Sequence, residues 1–142
     1  MAALNFLLPA QTLLDLCDQQ PNAARAWATG VDTAALRVSV ISVAEARSAI
    51  DGVPSGQVRA RLDANLSALL SQIEADSEEP LVFDDQHATV WRALLGDPNL
   101  QGLGATDRQV YATAMHEGLT VVEEAHAHTA ALQALGVSIH VL

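Results

Sequence analysis

Five short apolar segments, each set between helix-forming stretches, constrain this chain more than any other feature. They are Leu4–Leu8 (LNFLL), Leu36–Ile41 (LRVSVI), Pro80–Phe83 (PLVF), Leu119–Val122 (LTVV) and Val137–Leu142 (VSIHVL). Runs this short, rich in branched side chains and bounded by Pro, Gly or a polar helix start, read as strands. Between them the spacing predicts helices over Gln11–Gln19, Pro21–Trp27, Ser42–Ile50, Val58–Ile73, Asp84 or Asp85 to Leu95, Thr106–Glu117 and Ala125–Leu135. The clearest is Val58–Ile73, with Leu62, Leu66, Leu69, Leu70 and Ile73 on one face. Strands alternating with helices imply a parallel, doubly wound α/β sheet.

At 142 residues the chain is expected to form one domain, over residues 1–142. Half of its residues are apolar, enough for a core without disulfides. The formal net charge is −10, and all seven basic residues are Arg. An acidic surface argues against non-specific binding to a phosphate backbone. It leaves room for RNA, since a local Arg patch with metal ions can offset the field. The single cysteine, Cys17, excludes an internal disulfide and is expected in the core of a protein from a reducing cytoplasm. Neither a signal peptide nor a membrane span is legible, so no membrane partner is expected.

In an open parallel sheet, ligands gather beyond the carboxyl ends of the strands. Two acids stand there with two readings each. Glu45 closes a capping-box pattern with Ser42, the role its spacing alone favours, and its other reading is a metal carboxylate one turn past a strand. Asp107 lies in a second such pattern, Thr106-Asp-Arg-Gln109, where it would complement the helix dipole or hold a metal. Phosphoryl chemistry with Mg²⁺ or Mn²⁺ needs several carboxylates together, because the ion offsets their repulsion, orients the phosphate and acidifies the attacking water. Asp15 is read as a surface or capping acid. His126 and His128 are two apart, which is not a zinc-binding helical spacing, and are read as surface or helix-start residues. Trp27 and Trp91 are read as core or interface anchors.

Three segments carry a resemblance: FLLPAQTLLD (Phe6–Asp15), SVISVAEAR (Ser39–Arg47) and ATDRQVYATAMHEGLTVV (Ala105–Val122). Together they resemble a PIN domain of the VapC-toxin type, with the order of elements matching over essentially the whole chain. The resemblance implies a three-layer α/β/α fold around a mostly parallel sheet of about five strands. It implies a Mg²⁺- or Mn²⁺-dependent endoribonuclease that cleaves RNA phosphodiesters, with an antitoxin-like protein partner and a homodimeric state. Glu45 falls on the family's second acid and Asp107 on the third. Pro9 falls on the first acid, followed by Ala10 and Gln11, so the acidic site is degenerate. After the Leu119–Val122 strand the family carries Thr, then Asn or Asp, then an acid; here those positions hold Glu123, Ala125 and His128. Glu123, at the right strand end and longer than Thr, could replace the lost ligand. The expected catalytic and metal set is therefore Glu45, Asp107 and Glu123. Two alternatives stay open: a PIN-fold protein that has lost catalysis and acts by binding, and an unrelated α/β domain whose capping boxes imitate the motif and whose acids lie far apart.

Overall fold

A computed structural model describes residues 4–142, so the first three residues of the domain expected over 1–142 lie outside the described residues. Its elements are β1 (Phe6–Leu7), α1 (Ala10–Cys17), α2 (Ala23–Ala28), β2 (Leu36–Arg37), α3 (Val40–Asp51), α4 (Gly56–Asp76), α5 (Asp85–Leu95), α6 (Ala105–Glu117), β3 (Thr120–Glu123), α7 (Thr129–Ala134) and β4 (Ser138–Val141). The strands form one sheet in the order β2-β1-β3-β4, with every pair parallel.

Consecutive strand residues point to opposite faces, and this alternation builds the layers. Leu7 and Val121 join a cluster with Leu94, Val110, Ala114 and Leu132, from α5, α6 and α7. Leu8 and Val122 join a second cluster with Leu13, Ala46, Ile50 and Leu66, from α1, α3 and α4. The sheet is thus covered on both faces, as an α/β/α sandwich requires. Cys17 is buried in the second cluster, and desolvation pushes its thiol up to about 11, so it is a core residue without nucleophilic character. Trp27 packs edge-on against Phe6, with ring centroids 5.1 Å apart. Trp91 packs edge-on against Phe83 and donates its indole N–H to the Ala105 carbonyl at 3.1 Å.

Four strands are present among the described residues, not about five. The segment Pro80–Phe83 contributes one isolated bridge, between Ser39 and Leu81. Leu81 donates to Val38 and accepts from Val40, at 2.8 and 2.9 Å. Pro80 has no N–H to extend the ladder, and Val82 is exposed rather than buried. The strand expected over Leu36–Ile41 ends at Arg37, because Ser39 turns the chain into α3. Ser39 accepts from the Ser42 N–H at 3.1 Å, so the cap stands three residues before the Ser42 that the pattern favoured. Likewise α6 starts from Gly104 and not from Thr106. The helix expected from Ala125 starts only at Thr129, because the Thr129 hydroxyl accepts from the His126 N–H at 2.9 Å and holds a turn ahead of it.

Gly118 ends α6 in the left-handed region, with φ +68°. The Gly118 and Leu119 N–H groups return to the Met115 and Ala114 carbonyls, a Schellman closure that feeds the chain directly into β3.

Replacing Ser39 by Ala should lower stability by about 1 kcal/mol through the lost cap. Gly118→Ala should cost about 1–2 kcal/mol from backbone strain alone, since no atom lies within 4 Å of the added Cβ. Urea denaturation of the two variants beside the parent checks both values.

Candidate functional site

The strand order places a switch point between β1 and β3. From β1 the chain crosses to β2 on one side, and from β3 to β4 on the other. Such a switch opens a crevice at the carboxyl ends of the two central strands. A cleft of about 410 Å³ lies there, lined by residues that include Pro9, Ser42, Glu45, Asp107, Tyr111, Glu123 and His126. All three predicted acids therefore face one cleft, although each comes from a different element: Glu45 from α3, Asp107 from α6 and Glu123 from β3.

How each acid gets there follows from local structure. With Ser39 as the cap, Glu45 falls in the second turn of α3, beyond the reach of the capping role that its spacing with Ser42 suggested. Burial raises the Glu45 carboxyl above its ordinary value, and the charge on Asp107 raises it further. Asp107 sits in the first turn of α6, its carboxylate folded back towards Gly104, where a Cβ would meet Asp107 Oδ2 at 3.1 Å. A glycine at the cap therefore leaves room for this carboxylate. Glu45 and Asp107 line the same cleft, which runs against the reading in which the two acids are unrelated caps placed far apart.

Glu123 is the last residue of β3. Phe6 pairs with Thr120 and Leu7 with Val121, and beyond these paired strands Pro9 and Glu123 line the same cleft. The Thr12 hydroxyl donates to the Val122 carbonyl at 2.6 Å and ties the start of α1 to this strand end. Glu123 thus shares the cleft with the position where Pro9 replaces an acid. Its carboxylate is not free. The Tyr111 hydroxyl donates to both of its oxygens, at 2.9 and 2.7 Å, and His126 Nε2 lies 3.0 Å from Oε2 and 2.9 Å from the phenol oxygen. The His128 N–H donates to His126 Nδ1 at 3.1 Å, which leaves the proton of the neutral ring on Nε2, facing Glu123 and Tyr111. Burial and then the Glu123 carboxylate push the Tyr111 phenol far above its ordinary range, so it stays a donor at any working pH.

Tyr111 and His126 are the residues that sequence reasoning missed. Tyr111 carried a signal, since it lies four residues after Asp107 on the same helix face. His126 carried none, because the contact of its ring with Tyr111 joins residues 15 positions apart. His128 turns away to the Gln101 carbonyl, at 2.8 Å. Asp15 is outside the cleft and accepts from the Gln11 side chain at 3.0 Å. Among the described residues no Arg lines the cleft, and its charged lining is the three carboxylates.

No protein-family profile and no curated protein matches this sequence. Solved structures match its fold. The FitAcB structure from Neisseria gonorrhoeae superposes with a TM-score of 0.76 at 24% identity, covering 94% of this chain and 95% of the other. VapBC2 from Rickettsia felis, bound to a DNA fragment from its promoter, gives 0.73 at 14% identity, covering 98% and 99%. DNA-bound VapBC from Salmonella typhimurium gives 0.69 at 20% identity, covering 97% and 98%. The chain has the PIN-like fold that its sequence resemblance implied, and it shares that fold with chains of toxin–antitoxin structures.

A carboxyl held above its ordinary value in the folded chain stabilises the fold in acid and loses that contribution as pH rises through the raised value. Glu45→Gln should therefore raise the thermal midpoint of the metal-free protein at neutral pH. That gain should vanish on acidification below the ordinary carboxylate range. Thermal unfolding of parent and variant across about pH 3–8, a window of about five units that includes the usual Glu value, reads the difference directly.

Proposed function

We propose that this chain is a VapC-like ribonuclease of the PIN fold, which hydrolyses RNA phosphodiesters with Mg²⁺ or Mn²⁺. The observation that carries the reading is the convergence of Glu45, Asp107 and Glu123 on one cleft at the sheet's switch point. The donor set is all carboxylate oxygen, which suits hard divalent ions. Glu45 and Asp107 repel each other when both are charged, and a cation between them would relieve that repulsion. The ion would supply charge for the phosphodiester to approach an acidic cleft, and would acidify the attacking water. Glu45 and Asp107 would hold it. Glu123, oriented by Tyr111 and His126, would stand in for the acid that Pro9 replaces.

The fold neighbours come from toxin–antitoxin complexes. By analogy, this chain would pair with an antitoxin-like protein and form a homodimer. No described helix is long and apolar enough to cross a membrane.

A second reading has its own observation. Pro9 lines the cleft where the resemblance requires an acid, and no rotamer of Pro supplies an oxygen. The chain would then be a PIN-fold protein that binds a partner without cleaving RNA.

Mn²⁺ titration by calorimetry separates the two. The first reading expects one site per chain, weakened at least about tenfold, or about 1.4 kcal/mol, by Glu45→Gln and by Asp107→Asn. Pro9→Asp should tighten that site and raise cleavage of a mixed RNA substrate. Absence of Mn²⁺ binding in both parent and Pro9→Asp would sink the nuclease reading and leave the binding one.

A further inference from the structure

We propose that the first turn of α5 and the last turn of α6 form a second metal site, in which His87, His116 and Glu117 bind a borderline divalent ion such as Zn²⁺. This site lies apart from the acidic cleft. Asp107 opens α6 and His116 nearly closes it, which at about 1.5 Å per residue sets them about 14 Å apart along the helix.

The three donor atoms already lie within 4.8 Å of one another. His87 Nε2 is 2.9 Å from Glu117 Oε1, and the two imidazole rings stand perpendicular with centroids 5.0 Å apart. A tetrahedral ion with bonds of about 2.0–2.1 Å places its ligands about 3.3 Å apart. Reaching that spacing takes small shifts: the His87–Glu117 pair, at 2.9 Å, opens slightly, and the other separations, within 4.8 Å, close. His116 and Glu117 are exposed at a helix end and can make them, with His116 Nε2, now 2.9 Å from Gln86 Oε1, exchanging that contact if it ligates.

His87 is preorganised for the role. It is 3% exposed, its ring lies against Phe83, and its Nδ1 edge is fixed by Asp84. In the metal-free tautomer, Nδ1 accepts from the Asp84 N–H at 3.0 Å, and the Nε2 proton faces Glu117. Ligation through Nε2 requires the ring proton to move to Nδ1. Asp84 Oδ1 lies 3.0 Å from that nitrogen and would accept a hydrogen bond from the Nδ1–H, while the Asp84 N–H gives up its bond to the ring. A carboxylate on the far nitrogen orients a ligating imidazole, and Asp84 would take that role once the proton has moved. Two imidazoles and one carboxylate select a borderline ion over Mg²⁺, and three protein ligands leave a position for water. The bound ion would cross-link α5 to α6.

The test is a Zn²⁺ titration of the full chain by calorimetry, with thermal unfolding in parallel. It uses the parent and a Glu45→Gln/Asp107→Asn variant that disables the cleft. The expected result is one Zn²⁺ per chain at this site in both, with a raised thermal midpoint. His116→Ala and Glu117→Gln, both at exposed positions, should each weaken binding about tenfold or more and remove most of the thermal gain. Zn²⁺ binding that survives His116→Ala undiminished, or that disappears when only the cleft is disabled, would overturn the proposal. Neither result bears on Mn²⁺ binding in the cleft, so the two readings fail separately.

Discussion

The parallel pairing of β1 with both of its neighbours is the contact on which the rest of this structure depends. β1 is only two residues long, yet it carries ladder bonds to β2 on one edge and to β3 on the other. Leu7 and the adjoining Leu8 are fully buried on opposite faces of the sheet, one in each hydrophobic cluster. A segment this short keeps its register because any one-residue slip would exchange the two side chains and spoil both cores at once. That register also sets the carboxyl end of the sheet, where Pro9 and Glu123 line one cleft.

Charge is the counterweight to that packing. The sheet brings acids from α3, α6 and β3 to one cleft in a chain that already carries a net charge of −10. Burial and Asp107 together raise the Glu45 carboxyl, so in the metal-free cleft Glu45 holds its proton more tightly than in the unfolded chain. Glu123 meets the same problem differently, through the Tyr111 hydroxyl and the His126 ring. The α5–α6 pair shows a related economy at its far end, where a buried imidazole serves both a capping box and a contact to Glu117.

Much of this was legible along the chain because it is local. The helical spacing of Leu66 and Ile73, the αL stop at Gly118 and the apolar run into Val121 and Val122 each depend on neighbours a few residues away, and the structure places them as read. The differences arise where two local signals compete. Ser39 and Ser42 are both competent caps, and the pairing of Val38 and Val40 with Leu81 places the turn so that Ser39 is used. With that choice, Glu45 is released from the capping role its spacing suggested. The PLVF segment has strand composition but only one residue that finds a partner, because Pro80 lacks a donor and Val82 meets no facing layer.

The sequence by itself determined the α/β class, the alternation of strands and helices, and which acids stand just beyond strands or at helix starts, since periodicity and turn chemistry act over a few residues. Only the tertiary structure decided that Glu45, Asp107 and Glu123 share one cleft, that Tyr111 and His126 hold Glu123, and that His87 meets His116 and Glu117 across two helices. Those contacts join residues far apart in the chain. They form only when the two hydrophobic clusters close on the sheet and fix the relative positions of the elements, and no pattern within a single segment encodes those positions.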